Sequence, residues 1–193
     1  MMCVRWAALF AALSASLACA QVVEYDFDDG DIAAWESVKG EWVARDGAYV
    51  QRDVSDPSYR YSLAPDAWSE GVIEIDATPL QVNHISNVGA SFGLVVKYLD
   101  AERWCAVRFG SYGGVSLRIM AEDSEVIKLG SLLPQPDVTY HPKVILRGGY
   151  LAVVFDGGVM GIFRDPFAGE AGRPGLFTET ECAFDNVRIE RLK

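Results

Sequence analysis

Residues 87–122, NVGASFGLVVKYLDAERWCAVRFGSYGGVSLRIMAE, decide the fold of this chain. Apolar and aromatic residues recur there in short runs separated by polar connections, without the 3.6-residue spacing of a helix. Val, Ile, Phe, Tyr and Trp fill the runs, and these residues suit the pleated, half-buried surface of a strand. The reading predicts strands at Ser91–Tyr98, Arg103–Gly110 and Val115–Ala121. They are joined by Leu99-Asp100-Ala101-Glu102 and by Ser111-Tyr112-Gly113-Gly114. Connections this short can only join antiparallel neighbours, because a parallel pair needs a crossover of a dozen residues or more.

The same signature extends in both directions. No window of eleven or more residues carries an i, i+3, i+4, i+7 apolar stripe with caps, so helix is nearly absent. Asp46-Gly47 sits between two apolar-aromatic runs, the strongest short-range hairpin signal in the chain. Val72–Ala77 alternates, with Ile73 and Ile75 on one face and Glu74 and Asp76 on the other. The full pass predicts about thirteen strands with turns between them and no linker or repeat. That pattern describes an all-β, two-sheet antiparallel sandwich in one domain.

Residues 1–20, MMCVRWAALFAALSASLACA, read as a signal peptide: one positive charge at Arg5, an apolar run from Trp6 to Leu17, and Ala18-Cys19-Ala20 as the cleavage pattern. The run is too short for a membrane span, which needs about 20 residues. A lipoprotein attached through Cys19 is the competing reading, although Ser16 stands where an aliphatic residue is expected. Cleavage leaves residues 21–193 as a single domain, secreted or periplasmic. The formal charge of −10 becomes −11 when Arg5 leaves, a balance that repels nucleic acid and favours solubility. Cys105 and Cys182 remain; an oxidising compartment permits a bridge between them, while the apolar setting of Cys105 reads as a small buried side chain.

Seven segments in order carry a family likeness: YDFDDGDIAAWE, GEWVARDGAYVQ, EGVIEIDATP, GLVVKYLDAERWCAVRF, VILRGGYLAVVFDGGVMG, GRPGLFTE and FDNVRIERL. Together they resemble the concanavalin A-like lectin/glucanase superfamily. More narrowly they resemble its laminin-G-like and 3-keto-disaccharide-hydrolase-like jelly-roll domains of secreted bacterial proteins. The resemblance implies two antiparallel sheets of six or seven strands, one concave and one convex, with the first and last strands near each other. It implies little about function, because sites are grafted onto such folds independently.

Three constellations are candidates for chemistry. Asp28, Asp29 and Asp31, with Asp26, could approach Asp185 and Asn186 if the terminal strands pair. Their oxygens would suit a structural calcium, although Asp and Gly also simply form turns. Glu74 and Asp76 offer an E-x-D on one strand face, which resembles part of the glucanase motif, but the motif's third acid is missing. Lys97, Arg108 and Arg118, with Trp104 and Tyr112, are the candidate ligand-binding residues. If the polar strand faces coincide, one sheet bears these with Glu74, Asp76 and Arg147, as a sugar groove or as a set of cross-strand ion pairs. Tyr59 and Tyr61, flanked by loop, are better placed for ligand contact than Trp35, Trp42 and Trp68, which read as packing residues. Neither His84 nor His141 has a neighbouring acid and nucleophile in a recognisable arrangement, so the sequence offers no triad.

These readings imply a secreted, non-catalytic sandwich that binds carbohydrate or another extracellular surface component. Two alternatives stay open: a glycoside hydrolase or 3-keto-glycoside-cleaving enzyme using concave-face carboxylates, and a structural or adhesion domain with no small-molecule site. The expected partner is a glycan or polysaccharide; no nucleic acid or membrane span is expected. The sequence is silent on oligomeric state.

Overall fold

The computed structural model describes residues 20–55, 58–81, 89–110 and 114–192. The segment read as a signal peptide lies outside them, apart from Ala20, as do His84 and Tyr112. Among the described residues fifteen strands are formed, two more than expected. They are β1 (Gln21–Tyr25), β2 (Glu36–Lys39), β3 (Trp42–Arg45), β4 (Ala48–Gln51), β5 (Arg60–Leu63), β6 (Glu70–Pro79), β7 (Ser91–Tyr98) and β8 (Trp104–Gly110). The chain continues through β9 (Gly114–Met120), β10 (Glu125–Ser131), β11 (Pro142–Arg147), β12 (Tyr150–Phe155), β13 (Gly158–Arg164), β14 (Arg173–Thr178) and β15 (Cys182–Leu192).

All pairing is antiparallel. One sheet runs β13-β12-β11-β6-β15-β4-β3, with β1 added alongside β15; the other runs β10-β9-β8-β7-β14-β5-β2. The three strands of residues 87–122 are therefore consecutive neighbours, with β7 at the centre of the seven-stranded sheet. Gln21 pairs with Arg191 and Tyr25 with Val187, so the first and last strands do meet. At Asp46-Gly47 both residues take positive φ, 54° and 76°, and Asp156-Gly157 does the same at 47° and 77°. That geometry matches the right-handed twist of the flanking strands, which is why Asp-Gly serves there.

Between the sheets lies one apolar core. Phe92, Leu94 and Val96 of β7 and Cys105, Val107 and Phe109 of β8 face Ile73, Ile75, Val144, Leu146, Phe184 and Ile189 of the other sheet. Complete burial of a side chain such as Phe184 or Leu117 stabilises by about 1.5–3 kcal/mol. Trp35, Trp42 and Trp68 are buried packing residues, as expected; the Trp68 indole donates to the Val96 carbonyl at 2.8 Å. Cys105 and Cys182 are both free and buried thiols.

Every residue of β7 before Tyr98 is buried, although one face of the strand points away from the core. The reason is a second apolar layer on the outside of the seven-stranded sheet. Val95, Trp104, Ala106, Phe177 and Leu63 form it, with Tyr59, Tyr61, Tyr98, Val38 and Met120 packed against them.

Candidate functional site

The residues singled out from the sequence fall at three places. Arg108 and Arg118 lie with Trp104 on the outer face of the seven-stranded sheet. Across the ladder Trp104 faces Met120, Ala106 faces Arg118, and Arg108 faces Ser116. Period-two alternation fixes this, because Cys105, Val107, Val115 and Leu117 must point into the core. Trp104 is only 6% exposed and Arg108 likewise 6%, so neither is an open platform. Above them sits a row of partly buried tyrosines. Tyr59 meets Trp104 edge-on at 6.0 Å and Phe177 at 5.3 Å; Tyr61 lies 5.6 Å from Tyr98 and 6.3 Å from Trp104. The Arg118 guanidinium lies 4.9 Å from the Tyr59 ring centroid and also donates to the Tyr59 hydroxyl. Burial, then its neighbour Tyr98, raises the pKa of the Tyr61 phenol.

Arg108 is paired with Glu179 at 3.4 Å, both side chains buried. Burial lowers the Arg108 pKa, the Glu179 carboxylate opposes that, and nearby Arg118 adds to it. The two guanidinium groups thus repel each other across a largely dry surface. Tyr59, like Tyr61 a candidate contact residue from its loop-flanked position, proves to be the cover of this patch.

Lys97 is elsewhere. Simple alternation predicts it on the outer face, but the β7–β8 register shifts between Val95 and Lys97 and sets Lys97 opposite the inward-facing Cys105. A bulge of this kind re-aims a side chain. The Lys97 ammonium is fully buried, 2.6 Å from the Asp165 carboxylate and 2.9 Å from the Phe167 carbonyl. The expected sharing of one sheet also fails: Glu74, Asp76 and Arg147 belong to the eight-stranded sheet, whereas Arg108 and Arg118 belong to the other.

Glu74 and Asp76 line an open groove of about 610 Å³ on the outside of the eight-stranded sheet, together with Tyr25, His141, Asn186 and Arg188. Glu74 Oε1 accepts from Arg188 at 3.1 Å, and Oε2 is paired with Lys143. Asp76 Oδ2 accepts from the Asn186 amide at 2.9 Å, and Oδ1 lies 2.6 Å from His141 Nδ1. All four carboxylate oxygens therefore have partners within the protein. The contact with Asp76 gives His141 an acid neighbour. No sequence signal exposed it, since the pair is 65 residues apart and meets only because β11 docks on β6. Asn186 reaches Asp76 from a register break in β15 between Asp185 and Arg188, where its φ is 48°. Phe27 also takes positive φ, 55°, which strains a bulky residue; its ring is buried between Tyr25, Trp35 and Tyr49.

Pairing of β1 with β15 does bring the terminal aspartates near one another. Burial raises the Asp185 pKa, its bond to the Asn186 amide opposes this, and Asp28, Asp76 and Asp26 add to the rise. Asp29 and Asp31 instead accept from backbone amides two residues on, at 2.8 and 3.0 Å, which is the turn-forming use of aspartate. Among the described residues no group of three or more His, Cys, Asp or Glu is arranged to hold a metal ion.

No family model and no curated protein sequence matches the chain. Solved structures do. The carbohydrate-binding module CBM66 from Bacillus subtilis superposes with a TM-score of 0.64 at 17% identity, covering 80% of this chain and 94% of the module. A Bacillus licheniformis β-glucanase gives 0.63 at 11% identity over 89% of this chain and 98% of its own. A galectin-like-fold protein from Bacillus subtilis gives 0.64 at 13% identity over 88% and 94%. At such identities the likeness shows the arrangement of strands alone, an all-β jelly-roll sandwich.

Proposed function

We propose that the chain is a secreted, non-catalytic β-sandwich that binds carbohydrate on the outer face of its seven-stranded sheet. The observation that carries this reading is the row of partly buried tyrosines, Tyr59, Tyr61 and Tyr98, backed by Trp104 and Phe177 and flanked by Arg118. Aromatic rings offer a flat apolar face to a pyranose and a polar tip to its hydroxyls. A guanidinium beside them supplies directed donors. The carbohydrate-binding and glucan-acting proteins that share the fold support a glycan as the partner class.

Against catalysis stands the engagement of Glu74 and Asp76. A retaining pair needs carboxyls about 5–5.5 Å apart with one oxygen available to the leaving group and the other to the anomeric carbon. Here each oxygen already has a protein partner. Polysaccharide pull-down with product analysis of the same incubations tests the proposal. Retention without cleavage is expected, and Tyr61→Ala or Tyr98→Ala should weaken it. Trp104 is a poor probe, because its burial makes any substitution a packing change. Failure of every polysaccharide to be retained would overturn the reading.

One observation favours a second reading, a hydrolase working in the groove of the eight-stranded sheet. The His141 imidazole is held through Nδ1 by Asp76 and is 61% exposed, as a general base would be. Product release by the wild type that is lost in His141→Ala would establish it; the absence of products would exclude it for the glycans used.

A further inference from the structure

The tyrosine row is bordered by an ion pair whose cation is anchored to the backbone. Arg173 begins β14 and faces Tyr98 across the ladder. It donates from Nε to the Ala64 carbonyl at 2.7 Å and from Nη2 to the Leu63 carbonyl at 3.2 Å. The third nitrogen, Nη1, is paired with Glu36 Oε2. Two carbonyls thus fix the guanidinium, and the guanidinium fixes the carboxylate. Glu36 Oε1 accepts no hydrogen bond among the described residues, and the side chain is 60% exposed. An ion pair this exposed adds little to stability, so its role is to be sought in what it faces. Tyr61 faces Phe177, Leu63 faces Gly175, and Arg173 faces Tyr98. The Leu63–Gly175 row therefore runs between the rows of Tyr61 and Tyr98. Gly175 adds no side chain there, and the two tyrosine rings approach to 5.6 Å across the gap. Glu36 is the β2 end of that same row, opposite Leu63 and one strand spacing, about 4.8 Å, from β5.

We infer that Glu36 is the specificity-determining acceptor of the sugar platform: its Oε1 takes a hydrogen bond from an equatorial hydroxyl of the pyranose stacked on Tyr61 and Tyr98. Arg173 is the residue that positions it. The glycan recognised is one whose hydroxyls are free at that sugar, not blocked as ethers or esters. The inference rests on the reading of the row as a sugar platform. A stacked pyranose lays its C–H face on the rings and directs its equatorial hydroxyls outward, level with the platform, where an acceptor at the edge meets them. A carboxylate only accepts, so the sugar must donate, and hydrogen bonds to an ionised acceptor are the stronger kind. An ether oxygen at the same place has no proton to give and meets the carboxylate lone pairs instead.

Calorimetric titration of the full chain tests this with cellohexaose, laminarihexaose, xylohexaose and mannohexaose, each beside its O-methylated derivative. At least one free oligosaccharide is expected to bind at least about tenfold more tightly than its methylated form. Glu36→Ala should weaken binding of the free form by at least about tenfold and remove most of that preference, with Tm and binding of the methylated form unchanged. Glu36→Gln, which keeps an acceptor oxygen, should fall between wild type and Glu36→Ala. Arg173→Lys should also reduce the preference, and should add no further loss when combined with Glu36→Ala, as expected of a residue that acts through Glu36. If the preference survives in Glu36→Ala, or free and methylated forms lose affinity equally, the inference is overturned; weaker binding by Tyr61→Ala would still leave the sugar platform standing. If a polysaccharide is retained in the pull-down but none of the hexasaccharides binds, the same comparison is made on that polysaccharide and its methyl ether, with the same criteria. If nothing is retained, both readings fall.

Discussion

Lys97→Met should cost this protein a large part of its stability and leave glycan binding by the folded fraction unchanged. The Lys97 ammonium and the Asp165 carboxylate are 2.6 Å apart with side chains essentially excluded from water. At an effective dielectric of about 20 their attraction is about 6 kcal/mol, yet desolvating the two ions costs several kcal/mol each. The pair is therefore close to neutral as a unit. Removing one member is not neutral, because Asp165 keeps only the Phe167 amide at 2.9 Å for a buried charge. The expected loss is about 3–5 kcal/mol, or about 6–20 °C in Tm for a domain of this length. Urea unfolding followed by tryptophan fluorescence measures it. In Lys97→Met/Asp165→Asn the orphaned charge is gone, and at least about 2 kcal/mol should return. A single-mutant cost below about 1 kcal/mol, or a double mutant no more stable than the sum of its parts, would refute the argument.

Other outcomes follow from the same structure. Hydrogen bonds from Ser55, and after them Arg60, hold the Asp53 carboxyl at about 2. Because the folded value is depressed, its stabilisation is complete above about pH 4 and is lost as pH falls towards 2. Asp53→Asn should thus cost about 1–2 kcal/mol near neutrality, after allowance for partial solvent screening, and much less near pH 2; an equal penalty at both would contradict it. Burial pushes the Cys105 thiol up to about 12 and raises Cys182 as well, so both should resist iodoacetamide near neutral pH and react after unfolding, as peptide mapping would reveal. A protected pair after unfolding would mean a disulfide instead. Chelation by EDTA should leave Tm unchanged, whereas loss of a calcium ion bound at a hundred times its Kd would remove about 2.7 kcal/mol.

Much of the fold was legible before any coordinates. Strand positions in residues 87–122 came within a residue or two of those found, because alternation and aromatic content act over a few neighbouring residues. The Asp46-Gly47 turn was legible for the same reason, since only the local backbone decides it. The meeting of first and last strands came from family likeness, not from any local signal. Site residues were less readable. Arg108 and Arg118 do share a face with Trp104, as period two requires, but nothing in the sequence says that Tyr59 covers that face. Lys97 turned inward because one extra residue was accommodated between Val95 and Lys97, and a bulge has no local signature in this strand.

The sequence by itself therefore determined an all-β chain, the order of its strands and the inside and outside of most of them, since these follow from the spacing of apolar residues along short segments. Tertiary structure decided which strands share a sheet, which way Lys97 points, that His141 meets Asp76, and that Arg173 holds Glu36. Those properties depend on cross-strand register and on loops folding over distant strands. They are contacts between residues tens of positions apart, and a pattern with a period of two residues carries no information about them.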